Sequence, residues 1–111
     1  QEDLSNWDTS AVTTMEAMFY EASAFNGNIS SWNISAVTEI SGMFFRASSF
    51  NPEPEDLSKW DTSAVTTMRF MFNKASAFNG NISSWNTSAV TDMSYMFYGA
   101  SSFAQEDLSR W

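Results

Sequence analysis

A phrase of about 25 residues recurs along the chain and restricts its fold more than any other feature. The tryptophans that mark it, Trp7, Trp32, Trp60, Trp85 and Trp111, are separated by 25, 28, 25 and 26 residues. The first copy reads Leu4-Ser-x-Trp7-Asp-Thr-Ser10-Ala-Val12-Thr-x-Met15-x-x-Met18-Phe19-x-x-Ala22-Ser-x-Phe25-Asn26. A period in the twenties is typical of one supersecondary unit per repeat. Such units stack, because no single one can bury its own apolar face.

The repeat divides the chain into four coils and the start of a fifth. We place the coils at residues 4–28, 29–56, 57–81 and 82–107, with the fifth beginning at 108–111, in one array over 1–111. Apolar residues from Met15 to Phe25 stand at i, i+3, i+4, i+7 and i+10, which predicts a short helix. The alternation around Val12 predicts a short strand before it. The sequence therefore predicts an α/β repeat solenoid, leucine-rich-repeat-like, with a short parallel strand and a short helix in each coil.

Stacking of such coils would align equivalent side chains in ladders. The expected ladders are the valines Val12, Val37, Val65 and Val90, the phenylalanines Phe19, Phe44, Phe72 and Phe97, and the phenylalanines Phe25, Phe50, Phe78 and Phe103. Burial of a large apolar side chain contributes roughly 1.5–3 kcal/mol. The ladders are therefore expected to form the core.

The repeat also resembles a known family. The string Trp-Asp-Thr-Ser-x-Val-Thr-x-Met-x-x-Met-Phe-x-x-Ala-x-x-Phe-Asn is similar to the repeat of BspA-like surface proteins, a leucine-rich-repeat-like group, and the similarity covers nearly the whole chain. The resemblance implies an extracellular or cell-surface location, a solenoid fold, an adhesive or unknown function, and no catalytic residues. The chain departs from the family pattern at Asn28, Asn33, Asn81 and Asn86, near which the family often has acidic residues.

These four asparagines are the candidate site residues. Asn28, Asn33, Asn81 and Asn86 each begin an Asn-x-Ser sequon, the acceptor motif for N-linked glycans. They arise in two pairs, Asn28 with Asn33 and Asn81 with Asn86, around the points where the even coils begin, whereas the odd coils carry aspartates at the equivalent places. The alternative is drift within the repeat, because the serines belong to the repeated phrase.

Calcium binding is an alternative for the ladder formed by Asp8, Asn33, Asp61 and Asn86, because Ca²⁺ takes oxygen ligands. The ladder lacks the dense Asp-x-Asp-x-Asp spacing of a dedicated calcium loop. We therefore favour turn capping through side-chain to backbone hydrogen bonds, and we predict no metal site and no cofactor.

Two further ladders have alternative interpretations. The tryptophans form either an exposed sugar-binding strip or, as we favour, a row packed under the neighbouring coil. The threonines Thr13, Thr38, Thr66 and Thr91 suit either an ice-binding row or the polar face of a sheet. Apolar neighbours and a three-residue insertion interrupt that row, so we favour the polar face. The insertion, at 51–56, is expected to bulge outward.

Composition excludes several classes of function. A net charge of −8 argues against nucleic acid and anionic membranes as partners. No segment approaches the roughly 18 apolar residues of a membrane span. Histidine and cysteine are absent, and no acidic pair stands out from its repeat copies. Since a catalytic site needs one tuned group of residues that breaks repeat symmetry, we predict that the chain is not an enzyme.

The preferred function is that of a structural repeat module in an extracellular fibre or cell-surface layer, carrying covalently attached glycans. The alternative is an adhesin-like module that recognises a protein or carbohydrate partner through one solenoid face. The opening Gln1-Glu-Asp-Leu-Ser-Asn-Trp7 and the closing Gln105-Glu-Asp-Leu-Ser-Arg-Trp111 are the same phrase. We therefore expect further repeats, or further copies of the chain, to stack end to end, and we expect the isolated segment to aggregate or polymerise.

Overall fold

Short turns, rather than helices, occupy the apolar half of each repeat. The computed structural model describes residues 4–104 and residue 108. We call the four predicted coils repeats 1 to 4. The end of repeat 4 at 105–107 and the fifth coil, apart from Leu108, lie outside the described residues.

Successive turns of the i to i+3 type run through residues 15–22 of repeat 1. The N–H of Met18 donates to the carbonyl of Met15 at 3.2 Å, and the N–H of Tyr20 donates to the carbonyl of Ala17 at 3.1 Å. Ala17 and Glu21 have φ angles of 56° and 57°. The left-handed region recurs at the equivalent residues of the other repeats, Gly42, Arg46, Phe70, Lys74, Tyr95 and Gly99. A positive φ at the third residue of a four-residue turn is typical of type II turns.

The N–H groups that alternate with those bonded inside the turns donate to carbonyls of the following repeat. Met15 donates to the carbonyl of Glu39 at 2.9 Å, and Phe19 donates to the carbonyl of Met43 at 2.9 Å. Repeat 2 donates to repeat 3, and repeat 3 to repeat 4, in the same register. Isolated parallel bridges join Thr14 to Glu39, Glu39 to Thr67, and Thr67 to Asp92. The repeats are therefore stacked in parallel, and alternate N–H groups bond inside and between them.

The predicted α/β solenoid is wrong. Residues 4–104 and 108 contain no α-helix and no strand longer than a single bridge residue. The chain forms a compact body of 34 × 30 × 22 Å, built mainly from turns and loops. In this part of the chain no helix exists that could cross a membrane.

The physical reason lies in the backbone conformation. Apolar residues at i, i+3 and i+4 share one side of a helix, but they also share one side of a series of alternating turns. A left-handed residue at every fourth position interrupts a right-handed helix. An isolated helical turn would also leave its first N–H groups without partners, whereas the turns donate theirs to the next repeat. The predicted strand around Val12 is reduced to the bridge at Thr14.

The predicted phenylalanine ladders are present and form the centre of the core. Ring centroids of Phe19, Phe44, Phe72 and Phe97 are separated by 5.7, 5.5 and 5.9 Å along the stack. A second ladder, Phe25, Phe50, Phe78 and Phe103, has spacings of 5.8, 6.0 and 5.8 Å. The ladders also contact each other within each repeat, as between Phe44 and Phe50 at 4.2 Å. Offset aromatic stacking of this kind stabilises beyond simple area burial.

Candidate functional site

The four sequon asparagines each accept a hydrogen bond from the residue two positions ahead. The N–H of Ser30 donates to Asn28 Oδ1 at 3.0 Å, and its hydroxyl donates to the same oxygen at 2.7 Å. Asn33 and Asn86 accept from Ser35 and Ser88 at 2.9 and 3.0 Å. All three of these asparagines are exposed. Their side-chain oxygens are therefore held in local turns while the residues themselves face solvent.

Asn81 differs from the other three because the insertion contacts it. Its Nδ2 donates to both carboxylate oxygens of Glu55, at 3.2 and 3.0 Å, and its N–H donates to the carbonyl of Pro54 at 2.7 Å. Asn81 is half-buried, whereas Pro54 and Glu55 are exposed. The insertion thus lies on the surface, as predicted. Its Glu55 carboxylate also accepts hydrogen bonds from Asn81 Nδ2, the nitrogen to which a glycan would be attached.

Aspartates make the same turn contact in other repeats. The hydroxyl of Ser10 donates to Asp8 Oδ1 at 2.6 Å, and that of Ser63 donates to Asp61 Oδ1 at 2.6 Å. These hydroxyl bonds, followed by the bond from the serine N–H, lower the pKa of Asp8 and Asp61 below the ordinary aspartate value. Together with Asn33 and Asn86, this ladder caps turns, as the sequence predicted. Residues 4–104 and 108 contain no cluster of three or more histidine, cysteine or carboxylate side chains that could hold a metal.

The tryptophan ladder is packed between repeats. Trp32, Trp60 and Trp85 are buried, whereas Trp7 is 52 % exposed. Each buried indole Nε1 donates to a carbonyl of the preceding repeat. Trp32 donates to Leu4 at 2.9 Å, Trp60 to Ile29 at 3.2 Å, and Trp85 to Leu57 at 2.8 Å. The favoured interpretation of a packed row is confirmed for these three residues, so they cannot form an exposed sugar-binding strip. Trp111 lies outside the described residues.

The exposed threonine row bonds along the stack. The hydroxyl of Thr66 donates to the carbonyl of Thr38 at 3.1 Å, and the hydroxyl of Thr91 donates to the carbonyl of Thr66 at 3.2 Å. Thr38 donates in the same way to Thr13 at 3.4 Å. These hydroxyls are therefore engaged with backbone oxygens, which is the behaviour expected of a polar face that joins neighbouring repeats.

A groove on the outer side of the turns was not predicted from the sequence. It has a volume of about 380 Å³, and its lining includes the small residues Ala17 and Gly42 and the aromatic residues Tyr20, Phe45 and Phe70. Ala17, Gly42, Phe70 and Tyr95 occupy equivalent positions in repeats 1 to 4. Repeats 1 and 2 thus have a small residue at this position and repeats 3 and 4 an aromatic one, and Ala17, Gly42 and Phe70 all line the groove.

An exposed aromatic strip continues from this groove along the stack. Tyr20 stacks on Phe45 with 4.7 Å between ring centroids, Phe45 meets Phe70 edge to face at 6.2 Å, and Phe70 stacks on Tyr95 at 5.5 Å. A second groove of about 440 Å³ shares Phe45 and Phe70 with the first and extends to Tyr98. Tyr20, Tyr95 and Tyr98 are 50 %, 62 % and 62 % exposed. Contiguous exposed aromatic surface of this kind often marks an interaction site.

The sequence does carry a signal for this strip. The residues that every copy keeps form the repeated phrase, whereas the strip consists of residues that differ between the copies. Four copies with Ala17, Gly42, Phe70 and Tyr95 at one position indicate that the inner core does not determine that position. The sequence signal for the strip is therefore the presence of aromatic residues outside the repeated phrase, such as Tyr20, Phe70 and Tyr95.

The comparisons with known proteins identify a family and nothing more. A family model described as "Mycoplasma protein of unknown function, DUF285" matches residues 1–111. No curated protein matches the chain, and no solved structure matches it.

Proposed function

We propose that the chain, which belongs to the DUF285 family, is a structural repeat module of an extracellular fibre or cell-surface layer. In this proposal further repeats, or further copies of the chain, continue the stack end to end. The BspA-like surface resemblance of the repeat is part of the proposal, and no catalysis is required of the module.

The observation that supports the proposal is the single direction of the backbone bonds in the turn segment. Each repeat donates from its turns to the repeat that follows, as Met68 does to Asp92 at 2.9 Å and Lys74 does to Tyr98 at 2.7 Å. No described residue accepts from the corresponding N–H groups of Met93, Tyr95 and Gly99 in repeat 4. Repeat 4 therefore presents a row of donors.

Repeat 1 presents the complementary row of acceptors. No described residue donates to the carbonyls of Thr14, Glu16, Met18 and Tyr20, which correspond to the carbonyls that accept bonds in repeats 2 to 4. Unpaired backbone groups in a regular row are a template for pairing with another chain. A donor face and an acceptor face on opposite sides of one body give a head-to-tail contact, and such a contact propagates into filaments when it does not close into a ring.

Assembly of the chain with and without its donor face tests the proposal. Met93→Pro removes one outward N–H and also a half-buried side chain that packs against the core, so Met93→Ala, which loses the side chain but keeps the N–H, is compared with it. Ser94→Pro is the matched control, because the N–H of Ser94 bonds locally to Asp92 Oδ1 at 2.9 Å and because proline suits the second residue of a type II turn. We expect the unchanged chain and the control to assemble with rising concentration and to give an axial spacing of about 4.8 Å in fibre diffraction. Met93→Pro should stay monomeric with an unchanged circular dichroism spectrum. A monomeric unchanged chain at every concentration would count against the proposal.

The alternative function, an adhesin-like binding module, is supported by the aromatic strip. The strip consists of side chains on the outer side of the turns, whereas the donor and acceptor faces consist of backbone groups, among them the N–H of Tyr95 and the carbonyl of Tyr20. Fibre formation and ligand binding are therefore compatible in one module, and each can fail without the other.

A further inference from the structure

Basic side chains of this acidic chain gather beside the aromatic strip. The chain has five lysine and arginine residues and a net charge of −8. Three of the five lie along the strip, namely Arg46, Arg69 and Lys74. Because most of the few basic residues lie beside the strip, the strip differs from the rest of the acidic surface in both polarity and charge.

Two of these cations are held against aromatic rings. The guanidinium of Arg69 lies 4.8 Å from the ring centroid of Phe70, and that of Arg46 lies 5.3 Å from the centroid of Phe45. Contacts of this kind orient a guanidinium and leave its N–H donors directed outward. Arg46 also makes a long ion pair with Glu21 at 3.5 Å, with both side chains about half exposed, so that pairing is weak.

The two cations that line the grooves, Arg69 and Lys74, have capacity for a ligand. Arg69 and Lys74 make no ion pair with any residue in 4–104 or 108, although the Arg69 charge contributes to lowering the pKa of Asp92, after the hydrogen bonds from Ser94. Arg69 lines the first groove together with Glu16 and Ser41, and Lys74 lines the second. Each groove thus combines aromatic walls with one basic group and a small number of hydrogen-bonding groups.

We propose that this strip, which we call the aromatic–basic groove and define by Tyr20, Phe45, Arg69, Phe70 and Lys74, binds an acidic oligosaccharide made of carboxylated pyranose rings. A pyranose ring offers one face of C–H groups for contact with aromatic rings and a rim of hydroxyls for groups such as Ser41 and Glu16. Its carboxylate suits a guanidinium, which presents a fork of N–H donors. The proposal does not depend on the stacking of repeats into a fibre.

Size and shape favour a short sugar chain over other ligands. Volumes of about 380 and 440 Å³ fall in the range of roughly 300–1,000 Å³ that is usual for small-molecule sites. The two grooves share Phe45 and Phe70, which gives one open track able to hold consecutive sugar rings. A neutral sugar would leave Arg69 and Lys74 unused, and an acidic peptide without aromatic residues would leave the ring surfaces unused.

Binding of defined probes to the full chain tests the proposal. Isothermal titration calorimetry would use tetragalacturonate and a sialylated trisaccharide, which separate two sources of a carboxylated pyranose. The methyl ester of tetragalacturonate and a tetraglutamate peptide serve as ligand controls. Binding of at least one carboxylated sugar, with the ester and the peptide much weaker, is the expected result.

Variants locate the binding. Arg69→Gln removes the basic group, and Phe70→Gly gives repeat 3 the residue that repeat 2 has at the equivalent Gly42, so the backbone with positive φ is kept. Each should weaken binding about tenfold, the size expected for the loss of one charge-assisted or cation–π contact. Lys59→Gln, an exposed cation outside both grooves, should leave the affinity unchanged.

The other outcomes each overturn the proposal. Failure of both carboxylated sugars to bind excludes the ligand class, and equal binding of the methyl ester excludes the role of the carboxylate. Equal binding of tetraglutamate reassigns the groove to acidic peptides. Unchanged affinity in Arg69→Gln and Phe70→Gly places the site elsewhere on the chain.

Discussion

The indole Nε1 of Trp85 donates to the carbonyl oxygen of Leu57, 28 residues earlier, at 2.8 Å. The same bond joins Trp32 to Leu4 and Trp60 to Ile29. The large indole ring therefore fills the space between two repeats, and its single polar atom, Nε1, donates to a carbonyl of the preceding repeat. Register between neighbouring repeats is set by this bond as well as by ring packing, because a shifted repeat would bury an indole N–H without an acceptor.

Replacing Trp85 by phenylalanine should destabilise the chain by about 1–3 kcal/mol, from the lost hydrogen bond and the smaller ring. The matched control is Trp7→Phe, since Trp7 is 52 % exposed and exposed substitutions usually change stability by about 0.5 kcal/mol or less. Urea denaturation followed by circular dichroism measures both. Equal losses in the two variants would show that the bond to Leu57 contributes nothing specific.

Phe44 should be more important to stability than its counterpart Phe97. The Phe44 side chain is fully buried and stacks between Phe19 and Phe72, whereas Phe97 is half-buried. Phe44→Ala should cost about 3–5 kcal/mol, and Phe97→Ala should cost clearly less, because part of its ring already contacts solvent. The measurement is the free energy of unfolding of each variant relative to that of the unchanged chain. A larger loss at Phe97 would contradict the described core.

The core could be predicted from the sequence, whereas the backbone conformation could not. Residues such as Met43, Phe44 and Phe50 are buried as the repeat predicted, because equivalent apolar residues can only be covered by neighbouring copies. The predicted helix and strand were wrong because the spacing of apolar residues indicates which side of the chain each residue faces, whereas it does not determine the backbone dihedral angles between them. Left-handed φ at Arg46 and Lys74 has no sequence signal, since neither is the glycine usually associated with it.

The candidate sites divide in the same way. Turn capping by Asp8 and Asn33 could be predicted, because short polar side chains bond to the backbone two residues ahead. The contact between Asn81 and Glu55 could not, since it depends on where the insertion folds. The aromatic–basic groove depends on differences between copies at one position, from Ala17 to Phe70, and the residues that all copies share carry no information about such differences.

Gly42→Ala should isolate the cost of a left-handed backbone. An added Cβ would have room, since its nearest neighbour is Tyr20 Cδ2 at 3.9 Å, but φ is +64°. A loss of about 1 kcal/mol is expected from the backbone alone. The reverse change, Ala17→Gly, relieves the same strain at φ 56° but loosens the unfolded chain, so its effect should be smaller and of opposite sign. Unchanged stability in Gly42→Ala would show that this turn tolerates a side chain freely.

Acid should weaken the turns that aspartates cap. Serine hydroxyl and N–H bonds lower the pKa of Asp8, Asp61 and Asp92 in the folded chain below their ordinary value of 3.8. A lowered folded pKa gives stability that is complete above the unfolded pKa and is lost as pH falls through the folded pKa. The melting temperature should therefore decline below about pH 4, whereas at higher pH these groups contribute their full stabilisation and no further pH dependence.

The triple variant Asp8→Asn, Asp61→Asn and Asp92→Asn provides the control. Asparagine keeps the turn, as Asn33 and Asn86 do in the even repeats, but it does not titrate. Its melting temperature should be less sensitive to acid than that of the unchanged chain. The same acid sensitivity in both proteins would show that other carboxylates are responsible.

Glycan occupancy should differ among the four sequons when the chain is secreted from a cell that attaches N-linked glycans. Asn28, Asn33 and Asn86 are exposed, whereas Asn81 is half-buried and its Nδ2 donates to both oxygens of Glu55. Since the glycan is attached to that nitrogen, occupancy should be high at the first three and low at Asn81. Glu55→Ala should raise occupancy at Asn81, and Glu53→Ala, an exposed change in the same insertion, should not. Peptide mass spectrometry after N-glycanase treatment reports each site by conversion of asparagine to aspartate. Equal occupancy at all four sites in the unchanged chain would show that the Glu55 contact does not protect Asn81.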